Sequence, residues 1–192
     1  MRYFVLAALL AGTAATPAFA QVVTPNTGLR VEGIIGYDRA DVEDEDSDGV
    51  LYGVGIGYDA RAGNAVFGIE AEASDSTVDE CVADVDVAGD ELCARLGRDL
   101  YAGGRVGTRI GNTLLYGKAG YTNARVALDY DDGTAGTGLD FSEHENLDGI
   151  RLGAGAEFGI GPNSYVKTEY RYSNYEQGFE RHQVVAGFGF RF

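Results

Sequence analysis

From Val184 to the terminal Phe192 every second residue is apolar: Val184, Ala186, Phe188, Phe190 and Phe192 alternate with Val185, Gly187, Gly189 and Arg191. Successive side chains of a strand point to opposite faces, so this spacing predicts a strand with one apolar face and one small or charged face. The same period recurs over residues 29–38, 50–59, 65–72, 100–110, 115–121, 150–158 and 165–172. One such stretch is a weak signal, but eight of them predict an all-β chain of eight strands. Glycine, asparagine or proline mark tight turns at 60–64, 111–113 and 159–163, whereas 41–49, 74–99, 128–147 and 173–181 read as longer polar loops. Short turns at one end and long loops at the other suit an eight-stranded antiparallel up-and-down transmembrane β-barrel.

The two strand faces decide which barrel this is. One face carries Arg30, Glu32, Asp38, Glu70, Glu72, Arg105, Arg109, Lys118, Arg151, Glu157, Lys167, Glu169 and Arg171; the other is almost free of charge across its middle. A soluble lipocalin-like barrel would turn the apolar face inward; a membrane barrel would turn it to lipid. Glycine favours the second. It makes up 29 of 192 residues, and Gly53, Gly55 and Gly57 share the charged face, where a narrow lumen needs room for long side chains. The aromatics Tyr37, Tyr58, Phe67, Tyr121, Phe158, Tyr172 and Phe190 fall near strand ends on the apolar face, as interface girdles do. The charged face, Asp38 apart, is therefore expected to form a lumen charge network. An isolated charge there would be costly, so opposite charges should pair, Glu169 with Arg151 or Lys118 and Glu70 with Arg105. Such a lumen would be plugged or very narrow.

The front of the chain changes the compartment. Met1-Arg2, the apolar run from Tyr3 to Ala11, and Ala18-Phe19-Ala20 follow the order of a secretory signal peptide spanning 1–20, with 21–28 a short periplasmic segment and 29–192 the barrel. The apolar run is too short to span a bilayer, and no later stretch has the length of a spanning helix. The net charge is −15, which argues against nucleic acid as a partner. Mean hydropathy is only −0.13, as expected when strands show lipid half of their residues.

Candidate chemistry lies in the loops. Two cysteines on an exported chain, Cys81 and Cys93, favour a disulfide over a redox or metal role, since the spacing is not Cys-x-x-Cys. Asp44, Asp46, Asp48 and Gly49 resemble the first half of a calcium loop, but the twelfth position is Gly55 rather than glutamate, so they form a weak metal candidate. Ser142, Glu143, His144 and His182 carry the possibility of lipid hydrolysis at the rim, but adjacency in sequence does not build a triad. No enzyme activity and no cofactor are expected.

The stretches Arg98–Gly107, Leu115–Tyr121, Gly153–Glu157, Tyr165–Tyr172 and Gly187–Phe192 resemble the OmpA-like and opacity-porin group of outer-membrane barrels, and the resemblance runs through residues 29–192. It implies a place in the outer membrane, an N-terminus in the periplasm, and an assembly signal at Phe188, Phe190 and Phe192 read by the barrel-assembly machinery. No peptidoglycan-binding domain follows the barrel, so cell-wall anchoring is not expected. The expectation is a monomeric structural barrel in contact with outer-membrane lipid and lipopolysaccharide, serving envelope integrity or surface contact. A narrow porin-like channel for small solutes is the alternative.

Overall fold

The computed structural model describes residues 27–42, 45–83, 91–131 and 141–192. The expected leader lies outside the described residues, as do residues 21–26 of the segment behind it. The strands are β1 (Gly28–Val42), β2 (Glu45–Ala62), β3 (Ala65–Ser76), β4 (Asp79–Ala83), β5 (Glu91–Ile110), β6 (Thr113–Asp131), β7 (Phe141–Gly159), β8 (Ser164–Tyr175) and β9 (Glu180–Arg191). Each pairs antiparallel with its sequence neighbour, apart from the step from β3 to β4, which both pair with β5. Nine segments thus make eight staves. The last pairing joins β1 to β9, from Arg30 opposite Arg191 to Asp41 opposite Glu180, and closes the barrel. Closure removes the strand edge and satisfies the backbone internally, the condition for a sheet to cross lipid.

Tight turns join the strands at one end, where Gly63 and Gly111 take positive φ. Between the ends the wall is turned inside out relative to a water-soluble protein. Val54 and Ile69 point outward at 64% and 70% exposure, while Arg30, Arg151 and Arg171 are fully buried inside. This excludes the lipocalin-like polarity.

The four segments read as long loops are shorter than the sequence suggested. β1 runs on to Val42 and β2 begins at Glu45; β4 and the first part of β5 occupy much of 74–99; β6 and β7 extend to Asp131 and from Phe141; β8 and β9 reach Tyr175 and Glu180. β2, β5, β6 and β7 are 18 to 20 residues long, against about nine to eleven needed to cross the hydrocarbon core. The surplus lies beyond the apolar belt, where both faces of the wall leave lipid. The contrast that makes alternation visible in sequence then fades, although the hydrogen-bond ladder continues.

Within that surplus the polarity of the wall reverses. On β6 the outward residues pass from Tyr121 to Asn123 and Arg125, while the inward ones pass from Thr122 to Ala124 and Val126. On β7 Ile150 gives way outside to Asp148, and Arg151 gives way inside to Leu147. Ala40, Val78, Leu96, Ala124, Leu147, Tyr175 and Phe179 meet as one buried apolar cluster across the barrel mouth.

Candidate functional site: the lumen and its outer mouth

Every stave sends charge into the lumen. Eight acidic side chains (Glu32, Asp38, Asp59, Glu70, Glu72, Asp99, Glu157, Glu169) and eight basic ones (Arg30, Arg105, Lys118, Arg151, Lys167, Arg171, Arg181, Arg191) are buried there. This set is neutral, so the net charge of −15 resides outside it.

The ion pairs divide the set into two clusters, each neutral by itself. Toward the turn end, Arg105 holds Asp59 through both Nε (2.9 Å) and Nη2 (2.6 Å) and reaches Glu157 Oε1 at 2.5 Å. Arg191 Nη2 touches the same two carboxylates, at 3.0 and 2.9 Å. Arg30 pairs with Glu70 and, at 3.2 Å, with Glu32. Lys118 Nζ sits among Glu70, Glu72 and Glu169 at 3.0, 2.9 and 2.9 Å. Lys167 binds Glu32 at 2.5 Å, and Arg171 joins Glu72 to Glu169. Toward the mouth, Arg181 bridges Asp38 and Asp99, while Arg151 meets Asp99 at 2.5 Å and Ser173 Oγ at 2.8 Å. A lone ion in such a place costs several kcal/mol, on the order of the whole stability of a small domain. Seven of the cations touch two or more carboxylates, and Arg151, with Asp99 alone, also donates to Ser173 Oγ and the Tyr175 hydroxyl.

Tyrosines complete the packing. Tyr116 and Tyr165 donate to Glu169 and Glu32 at 2.5 and 2.7 Å. Lys118 lies 4.5 Å from the Tyr101 ring centroid and Arg191 4.8 Å from that of Tyr165, within reach of cation–π attraction. The Tyr101 ring lies over Gly103, where a Cβ would collide with its hydroxyl. At the turn end the space between Arg109, Leu114, Glu157, Tyr165 and Arg191 is only about 10 Å³.

Of the twelve lumen residues expected from sequence, eleven lie in the turn-side cluster or, for Arg151, in the mouth-side one. Arg109 does not: it is half exposed at the turn end, where its Nε donates to Gly111 O at 2.7 Å. It is the last charged residue of β5, and by then the wall has left the lumen for water. Glu169 meets Lys118 rather than Arg151, and Glu70 meets Arg30 and Lys118 more closely than Arg105, which it approaches only to 4.0 Å. The network expected from sequence omits Asp38, Asp59, Asp99, Arg181 and Arg191. Asp99 and Arg181 stand in segments read as loops, yet each continues the inward parity of the strand beside it, and that parity was the available signal.

The remaining candidates are placed apart from the lumen. Cys81 and Cys93 stand opposite each other on β4 and β5 and are joined by a disulfide. Phe188, Phe190 and Phe192 all point outward; Phe188 and Phe190 meet edge to face, 5.0 Å apart. Asp44 lies outside the described residues, the Asp46 side chain is likewise not described, and Asp48 is exposed. Among the described residues no three His, Cys, Asp or Glu side chains are grouped to hold a metal. The Ser142 side chain is not described, His144 is exposed on β7, and His182 Nδ1 lies 2.7 Å from Tyr170 Oη on the outer wall.

A closed antiparallel barrel with apolar residues outside and paired charges inside is a transmembrane barrel of the outer-membrane kind. Residues 4–192 match the outer membrane protein beta-barrel domain, and the chain belongs to that family. It is 29% identical over 178 residues to the 22 kDa outer membrane protein of Rhizobium leguminosarum bv. viciae, covering 82% of this chain and 75% of that one. Neisserial surface protein A has a similar structure, with a TM-score of 0.60 at 15% identity over 86% of this chain and 98% of its own. So has Ail, the attachment invasion locus protein of Yersinia pestis, at 0.58 and 16% identity over 86% and 99%. At these identities the likeness shows the barrel fold alone. The protein is located in the outer membrane.

Proposed function

We propose that the protein is a structural, non-conducting barrel that supports the outer membrane and meets its surroundings through an acidic outer rim. The neutral division of buried charge supports this reading most directly. Eight cations and eight carboxylates balance one another in charge inside the wall, and an apolar cluster covers the mouth above them. A hydrated ion would have to displace both. Single-channel recording in a planar bilayer tests it: silence is expected, and stable stepwise currents would overturn it. The second reading, a narrow channel for small solutes, draws on buried polar atoms without a hydrogen-bond partner among the described residues, among them Arg30 Nε, Arg171 Nη1 and the Tyr101 hydroxyl. Such atoms call for water, and a chain of waters is a route for small solutes.

The same proposal assigns residues 1–20 to a cleaved leader, for which the mature mass should begin at Gln21. It assigns Phe188, Phe190 and Phe192 to recognition by the assembly machinery. Phe192 supports this with a 69% exposed ring beside a backbone bond to Leu29 O at 2.8 Å, so its side chain contributes little packing to the finished barrel. Deleting Phe192 should lower the amount of protein in the outer membrane while leaving the unfolding midpoint of the assembled fraction nearly unchanged. Normal membrane levels would end the assembly-signal reading.

A further inference from the structure

The loop end of the barrel is acidic, and its basic residues are few and gathered. From the strand register, Arg39, Arg95, Arg98 and Arg125 are the outward-facing arginines placed beyond the apolar belt at that end, and three of them lie side by side on β5 and β6. Arg95 is occupied by Asp129 at 3.4 Å. Arg98 and Arg125 differ: among the described residues their polar contacts are to amides, not carboxylates. Arg98 Nη2 donates to Asn123 Oδ1 at 3.1 Å and to Asn146 Oδ1 at 3.4 Å, and Arg125 Nε donates to that same Asn146 oxygen at 3.4 Å. One neutral oxygen thus draws two guanidinium groups together at long distance. Arg98 Nε is buried without a hydrogen-bond partner among the described residues.

Their height on the wall gives the arrangement its meaning. Leu100, the next outward residue below Arg98, and Tyr121, one outward position below Asn123, belong to the apolar belt. The guanidinium pair therefore stands at the level of lipid headgroups. A groove of about 550 Å³ opens beside Arg125 at the irregular rung near Gly97, lined by Arg95, Arg125 and His144 and also by Asp75, Asp79 and Asp129. Two forked donors converging on one oxygen suit a phosphate, which offers charge where the amide offers only a dipole. We propose that Arg98 and Arg125 form a binding site for the phosphate of a phosphorylated glycolipid of the outer leaflet, with the acyl chains lying down the belt below Leu100 and Tyr121. The site rests on the outer-membrane location of the barrel and not on whether the lumen conducts.

The test uses the full barrel in phosphatidylcholine nanodiscs with chelator present, so that metal ions cannot bridge lipid to the acidic rim. Lipid A is titrated in, and retained lipid is counted by native mass spectrometry. Loss of a charge-assisted contact is worth roughly tenfold in affinity. Lipid A stripped of its phosphates should bind about tenfold more weakly, and the Arg98→Gln/Arg125→Gln double variant should lose about the same factor for intact lipid A. Arg61→Gln, at the turn end, should leave binding unchanged. Asn146→Asp supplies the pair with a fixed carboxylate and should also weaken binding, which covers the case of a misfolded double variant. Equal retention by either loop-end variant, or equal binding of the dephosphorylated lipid, would overturn the proposal. So would full displacement by millimolar inorganic phosphate, which would make this a small-anion site.

Discussion

The lumen at membrane height and the mouth above it are closed by opposite chemistries. Below, the interior is sixteen paired charges; above, it is a cluster built on Val78, Leu96, Leu147, Tyr175 and Phe179. The change happens along single strands, within one or two inward positions: Asp38 to Ala40 on β1, Asp99 to Leu96 on β5, Arg151 to Leu147 on β7. The outer face changes at the same rungs, from Tyr37 to Arg39, from Leu100 to Arg98 and from Ile150 to Asp148. The solvent outside thus dictates the core inside. Where lipid surrounds the wall, polar groups have only the lumen to occupy; where water surrounds it, the barrel reverts to the apolar interior of a soluble protein.

Two cores of different chemistry should fail differently, and the largest effect is expected in the charged one. Asp99 accepts from Arg151, Arg181, Thr122 and Tyr175. Asp99→Ala strands the buried Arg151 guanidinium, leaves Arg181 with Asp38 alone, and should cost about 3–5 kcal/mol in urea unfolding from lipid vesicles. Removing a cation as well, in Asp99→Asn/Arg151→Met, restores neutrality with Arg181 still held by Asp38 and should recover most of the loss. If the double variant were as unstable as the single one, pairing would not be what holds the lumen.

The apolar mouth should respond to lost volume alone. Leu96→Ala removes a buried side chain from a cluster of seven and should cost roughly 2–3 kcal/mol, the lower part of the range for such truncations because water can reach a cluster so near the rim. The cost should be indifferent to compensating charge. Planar-bilayer recordings of this variant should stay silent, since both charge clusters still fill the lumen beneath. Currents from Leu96→Ala would show that the apolar cluster is the only seal.

The sequence made the membrane-height part of the barrel legible because there the two faces meet different solvents. Val54 and Gly55, or Phe188 and Gly189, record that contrast residue by residue. It hid the strand extensions, because Asn123, Arg125, Asp129, Glu145 and Asn146 look like loop residues when only alternation of apolar and polar positions is read. For the same reason alternation reveals Arg151 and Glu169 but not Asp99 and Arg181. The apolar mouth was invisible for a further reason. Its seven members come from six places in the chain, and apart from Tyr175 and Phe179, which flank one turn, each reaches the cluster from a different segment. Charge pairing lies beyond the pattern altogether, since it depends on which staves face each other across the lumen.

The smallest expected effect marks the wet side of the boundary. Asp148 is the first outward residue of β7 above Ile150 and is fully exposed. The Tyr121 hydroxyl donates to its Oδ1 at 2.5 Å, and Asn123 Nδ2 donates to the same oxygen at 2.6 Å. These bonds, that from Tyr121 first, hold the Asp148 carboxyl below the usual carboxylate range. A carboxyl lowered in the folded state adds stability above its unfolded pKa and loses it as pH falls through the folded value. Solvent screening keeps the contribution slight at so exposed a site. Tyr121→Phe should therefore raise the Asp148 titration midpoint toward the ordinary value near ~3.9, read from its carboxyl carbon by NMR in nanodiscs, with little change in unfolding midpoint at neutral pH. Asn123→Ala should raise it less. An unmoved midpoint in Tyr121→Phe would mean that the rim hydrogen bond does not set this titration. A large loss of stability at neutral pH would mean that the outward rung at Asp148 belongs energetically with the buried charges rather than with water.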